Sequence, residues 1–229
     1  LQETQAECSE SGVNISLHLC DVGDESQMQA FAADALKAHN SEHVNLVFNN
    51  AGLAGGGSFI NDSRADWERT FNVCWEGVYF GCRTFLPLLI ASDEGHLVNV
   101  SSVNGFWASI SGNMPHTSYS AAKFAVKGFT ESLLNDVKVH APHVGVSVVM
   151  PGHIGTNIVI NSQVLQGATA PADMSAEECE ETRKSWSAMN DGAAELSDVQ
   201  IRELSEARGT MFRDLAPTTA AQAATIILD

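Results

Sequence analysis

Short apolar runs, each closed by a polar or turn-forming residue, alternate along this chain with longer stretches of helical pattern. Ile15 to Cys20 stops at Asp21, Val44 to Phe48 at Asn49, Leu97 to Val100 at Ser101, and Val144 to Met150 at Pro151. Apolar segments of that length suit strands buried on both faces, and parallel neighbours need crossover connections long enough to hold a helix. The pattern predicts strands near 14–20, 44–49, 96–101 and 144–150, and helices over about 24–39, 64–90 and 118–140. The fold class is therefore α/β, with a parallel sheet in one domain spanning 1–229. Gly77 and Gly81, four apart, suit close packing of the second helix, and Pro87 bends or closes its end.

Composition narrows the partners. A formal net charge of -16 disfavours nucleic acid and anionic membranes, both polyanions. A hydrophobic share of 44% argues for a packed core. Five cysteines, odd in number and without a Cys-x-x-Cys, fit a reducing cytoplasm better than a disulfide framework. No apolar run reaches the roughly 18 residues of a membrane span, no signal peptide is visible, and no His, Cys and carboxylate cluster has metal spacing.

The chemistry concentrates in Ser102, Tyr119 and Lys123. Tyr119 and Lys123 are four apart on an Ala-rich helical stretch and so share a face. A cation beside a phenol favours the phenolate, which brings a tyrosine toward acid–base work near neutral pH. A hydroxyl at the end of a strand can hold the substrate oxygen meanwhile. Taken alone, the pair fits a surface helix contact equally well.

The neighbouring segments decide. Asn49-Asn50-Ala51-Gly52 closes one apolar run, Ser101-Ser102 another, and Pro151-Gly152-His153-Ile154-Gly155-Thr156 a third, with Asp21-Val22 closing the first. In this order, with the Tyr119/Lys123 pair, the chain resembles the classical short-chain dehydrogenase/reductase family from about Leu1 to Asp229. That resemblance implies a Rossmann-like, doubly wound sheet with its first two strands missing from this chain, because the glycine-rich phosphate loop is absent. Glycines 55 to 57 do not open a helix after a first strand and are not that loop. The carboxyl end also looks cut. The strand near 14–20 would then lie roughly 14 Å from the one near 44–49, and the chain expressed alone is expected to fold poorly or aggregate. A second departure is Cys74, which stands where the family carries an asparagine of the proton relay; Asn72 is two residues early.

The resemblance implies hydride transfer between NAD or NADP and an alcohol or ketone. Tyr119 would be the general acid/base, Lys123 would lower its pKa and bond the nicotinamide ribose, and Ser102 would hold the substrate oxygen. Ser101 is the competing hydroxyl; the family's serine is the second of such a pair. Asp21 and Val22 would contact adenine. Asn49, Ala51 and Gly52 would line the adenosine side, Ile154 (through its backbone) and Thr156 would meet the nicotinamide carboxamide, and Pro151 and Gly152 would also bind the cofactor. Trp107, Met114, His116, His153 and Asn157 would line the substrate pocket, although a lone histidine such as His116 or His153 is commonly structural. Residues 157–213, polar and acidic, would form the variable lid within the single domain. The 17-residue step from Ser102 to Tyr119 implies a loop around Ser109 to Met114. A homodimer or homotetramer is implied for the full-length protein. Competing with this enzyme are a non-catalytic or truncated relative acting as a binding protein, and a sugar-nucleotide enzyme of the extended branch, for which Asn49-Asn50-Ala51-Gly52 is atypical.

Overall fold

The computed structural model describes residues 5–6, 8, 12–55, 58–108, 115–187 and 191–228. They form two compact units.

The first unit is built on three parallel strands in consecutive order: β1 (Leu46–Asn49), β2 (Gly95–Val100) and β3 (Val144–Val149). Asn49 stands beside Asn99, and Val100 beside Val149, so β1 and β2 deliver their polar ends at one edge of the sheet. Helix α1 (Glu25–His39) begins at Asp24, whose carboxylate accepts from the Ser26 and Gln27 amides, and stops at Asn40 in the left-handed region (φ 48°). Helix α2 (Arg64–Phe71), capped by Ser63, runs through a π turn at Asn72–Glu76 into α3 (Gly77–Ile90). Helix α4 spans Thr117–His140.

Packing explains these assignments. Val78, Cys82 and Leu89 of α3 meet Leu97 of β2, Val126 and Val137 of α4, and Val144 of β3 in one buried cluster. Met28 and Ala32 of α1 pack with Phe85 in another. By length and composition alone the 27-residue helix Arg64–Ile90 could cross a membrane; burial of Val78, Cys82, Phe85 and Leu89 marks it as a core helix of this sheet. The two glycines do what their spacing suggests. A Cβ on Gly77 would stand 2.7 Å from Val22 Cγ2, and one on Gly81 2.1 Å from Asn49 Oδ1.

One expectation fails. Residues 14–20 are not a strand. A strand exists only where a neighbour takes its amides and carbonyls, and among the described residues none pairs with this segment. It carries Leu19 93% exposed.

The second unit comprises the chain from Pro151 onward with Leu53–Gly55 and Pro115. A two-residue parallel pairing joins β4 (Ile154–Gly155) to β5 (Thr218–Thr219). Around it lie α5 (Ile158–Leu165), α6 (Ala176–Ser187), α7 (Asp198–Asp214) and α8 (Ala220–Leu228). The acidic stretch is partly committed to internal contacts: Glu178 caps α6 through the Ser175 amide, and Glu180 and Asp198 both pair with Arg183. Cys179 and Ile201 are fully buried.

Candidate active site

The site grows from the carboxyl end of β2, where four consecutive residues each take hold of α4. Asn99 Nδ2 donates to Thr130 Oγ1 at 3.0 Å. Val100 O accepts from Lys123 Nζ at 2.9 Å. Ser101 Oγ donates to the Lys123 carbonyl at 2.7 Å. The Ser102 hydroxyl hydrogen-bonds the Tyr119 phenol. Ser102 also starts the short 3-10 turn Val103–Gly105, its Oγ accepting from the Asn104 amide at 3.1 Å. Thus the three residues singled out from sequence meet, and Ser101 is separated from Ser102 by function of direction: one hydroxyl points to a helix carbonyl, the other to the phenol.

Tyr119 and Lys123 lie one turn apart, with Nζ 5.6 Å from the phenol ring centroid. Lys123 is 4% exposed. Burial holds its ammonium below the usual lysine range, with the neighbouring Cys74 acting against that. Burial likewise pushes the Tyr119 phenol up, the Ser102 hydrogen bond pulls it down, and Cys74 adds to the rise. Burial wins for both partners, so at neutral pH the phenol keeps its proton.

Two further segments reach this point. Cys74, fully buried in the π turn, and Gly52 are neighbours of the lysine: a Cβ on Gly52 would stand 3.8 Å from Lys123 Nζ and 3.9 Å from Cys74 Sγ. Asn49 is committed elsewhere. Its Nδ2 donates to Asn99 Oδ1 at 2.8 Å and lies 3.4 Å from Cys82 Sγ, inside a buried network that also holds Thr130. Burial pushes the Cys82 thiol up to about 11. Ala51 is exposed.

Of the remaining expected residues in this unit, Asp21 is exposed, with Oδ1 accepting from the Gly23 amide at 3.0 Å, and Val22 lies against Gly77. His116 immediately precedes α4, its ring 6.5 Å from that of Tyr119. Trp107 is 62% exposed and packs edge-on against Phe106. Met114, with the loop around it, lies outside the described residues.

Pro151, Gly152, His153, Ile154, Thr156 and Asn157 belong to the second unit. There Ile154 pairs with Thr218, Thr156 Oγ1 accepts from the Ile158 amide at 3.4 Å, and Asn157 Oδ1 lies 3.4 Å from Arg213. His153 bonds the Phe212 carbonyl and packs on its ring at 4.3 Å. That is the structural role common for a lone histidine.

Sequence reading missed Gly105, Thr130 and the buried Asn104 Nδ2 and Ser118 Oγ, which have no hydrogen-bond partner among the described residues. The first had a signal, a glycine three residues after a hydroxyl pair; the others had none.

The chain is similar to known proteins in sequence and in fold. The family model described as short chain dehydrogenase matches residues 1–165. SadH of Mycobacterium tuberculosis, which carries the name of an oxidoreductase, is 40% identical over 156 residues, 68% of this chain and 54% of its own length. Dehydrogenase/reductase SDR family member 6 of Xenopus laevis is 37% identical over 95 residues, 42% of this chain and 38% of its own. The chain spans about half the length, or less, of these curated relatives. Among solved structures, a short-chain dehydrogenase/reductase from Burkholderia phymatum in complex with NAD covers 100% of this chain, and 79% of its own is matched, at TM-score 0.66 and 27% identity. A metagenomic short-chain oxidoreductase in complex with NADP matches over 66% of each chain at TM-score 0.57 and 29% identity. With Ser102, Tyr119 and Lys123 gathered at the end of a parallel strand and the family model matching most of the sequence, this chain belongs to the short-chain dehydrogenase family.

Proposed function

We propose that the chain carries the catalytic part of an oxidoreductase that moves a hydride between NAD or NADP and an alcohol or ketone, with Tyr119 as general acid/base. The observation that carries this reading is the contact of the Ser102 hydroxyl with a phenol that burial keeps protonated, beside a buried ammonium. The donor set fits a nicotinamide ribose: Lys123 Nζ spends one hydrogen bond on Val100 O, leaving ammonium hydrogens for sugar hydroxyls. Gly52, beside that nitrogen, brings backbone rather than side chain to the same place. Within the same unit Asp21, Val22 and Ala51 would supply further cofactor contacts, with the Asn49 side chain holding the strand end instead.

A bound NAD or NADP supplies the hydride acceptor or donor. In reduction, Ser102 holds the carbonyl oxygen and Tyr119 gives it a proton; in oxidation, Tyr119 takes the alcohol proton. Lys123 favours the phenolate that either direction passes through. Trp107 and His116, flanking Ser102 and Tyr119 in sequence, would face the substrate.

Nicotinamide absorbance, followed with a series of secondary alcohols and their ketones, tests the reading. Tyr119→Phe should lower the rate about 10²- to 10⁴-fold and leave cofactor binding in place. A variant as active as the parent would remove Tyr119 from the chemistry.

A further inference from the structure

Ser101 is 2% exposed, and its hydroxyl donates to the backbone of Lys123, the residue whose ammonium lies over the Tyr119 ring. The carbonyl it binds belongs to the interior of α4, where the i→i+4 ladder already supplies a donor. The bond therefore does not rescue an orphaned helix carbonyl; it adds a second, sideways hold on Lys123. The same residue is also held at its far end, Nζ on Val100 O. A lysine gripped at backbone and tip by two adjacent residues, the last of β2 and the one after it, has little freedom to move its charge.

An independent observation points to the same spot. Gly105 presses its backbone into this contact: a Cβ there would stand 2.5 Å from Ser101 Oγ and 2.6 Å from the Lys123 carbonyl oxygen. Only a residue without a side chain lets the strand end, the following turn and α4 close on one another at that point.

We propose that Ser101, given clearance by Gly105, is a positioning residue that fixes Lys123 on the strand end and with it the ammonium beside Tyr119. The inference rests on the acid–base reading of Tyr119. The groups that face this phenol are Lys123 on α4, Cys74 on the π turn, His116 just ahead of α4, and the Ser102 hydroxyl. Of these, Lys123 is the one Ser101 touches. Releasing it lets the ammonium drift from the phenol, and the phenolate needed for alcohol oxidation becomes harder to form.

The test is alcohol oxidation against pH, with NAD or NADP and secondary alcohols, for the parent chain, Ser101→Ala, Gly105→Ala and Tyr119→Phe. In Ser101→Ala the rising limb should move up by about half to one pH unit, which is a three- to tenfold loss at neutral pH, and raising the pH should restore the rate. Gly105→Ala, which pushes the same carbonyl by another route, should move the limb in the same direction; Ser101→Ala, a loss of one oxygen, keeps the test alive if that variant does not fold. A lower melting temperature with the limb unmoved in Ser101→Ala would make Ser101 an ordinary buried serine and overturn the proposal. A parent without activity, or an active Tyr119→Phe, would instead overturn the acid–base reading, and the role of Ser101 with it.

Discussion

At the scale of residues, burial sets the protonation states of the central pair in opposite senses. The Tyr119 phenol is raised and the Lys123 ammonium lowered, each by loss of water. The sign follows for catalysis: a phenol raised above its ordinary range stays an acid through neutral pH and becomes a base only above it. Ketone reduction should therefore stay level around neutrality and fall as pH climbs through the phenol titration, while alcohol oxidation rises there. Rate profiles in both directions check this, and a reduction rate that falls below neutrality's alkaline side would contradict it. A second residue-scale outcome concerns Thr130, which is 1% exposed and takes the amide hydrogen of Asn99. Thr130→Val keeps the shape and removes the acceptor, leaving a buried donor unpaired. The cost should be about 1–3 kcal/mol, read from the denaturant midpoint at unchanged slope.

At the scale of elements, α3 comes close to the end of β1 at Gly81. Gly81→Ala would place a methyl 2.1 Å from Asn49 Oδ1, and the helix or the strand end must yield. Overpacking of this kind costs about 1–3 kcal/mol, and here it also displaces the amide that ties β1 to β2; a fall in melting temperature larger than for the exposed Gly128→Ala checks it. In the second unit Ser197 and Gln200 form a capping box at the start of α7. Ser197→Ala should cost about 1 kcal/mol, measured in the same way. These elements also show what was legible in advance. Helices 25–39, 64–90 and 117–140 and strands β1 to β3 follow from where apolar runs begin and end, and the two glycines announced tight packing by their spacing. The π turn at Asn72–Glu76 was not legible, because five residues with helical propensity read alike whether the ladder closes at four or five residues. The segment 14–20 misled for a different reason: its composition suits a strand, but a strand is a relation between two segments, and none of the described residues pairs with this one. The trio itself was legible as residue types in order. The grip of Ser101 on Lys123 was not, since the direction of a hydroxyl is set by packing that no local pattern encodes.

At the scale of the whole molecule, two forces act on association and they have opposite salt dependence. β1 pairs only with β2 among the described residues, so its other edge offers unpaired backbone groups, and Leu46 (50% exposed) and Phe48 (40% exposed) stand on it. An edge with apolar side chains is a template for another chain. Against this, a net charge of -16 keeps copies apart. Repulsion between surface charges is screened as the Debye length falls from about 10 Å at 0.1 M salt to about 3 Å at 1 M, whereas edge pairing and apolar contact are not weakened. Light scattering of this chain should therefore rise with added salt, the reverse of association through ion pairs. Leu46→Lys puts a charge on the edge itself, the device natural sheets use. It should suppress the salt-induced scattering, with a stability change of about 0.5 kcal/mol or less, as for other half-exposed positions. Scattering that falls with salt, or a Leu46→Lys variant that associates as before, would place the sticky surface away from β1.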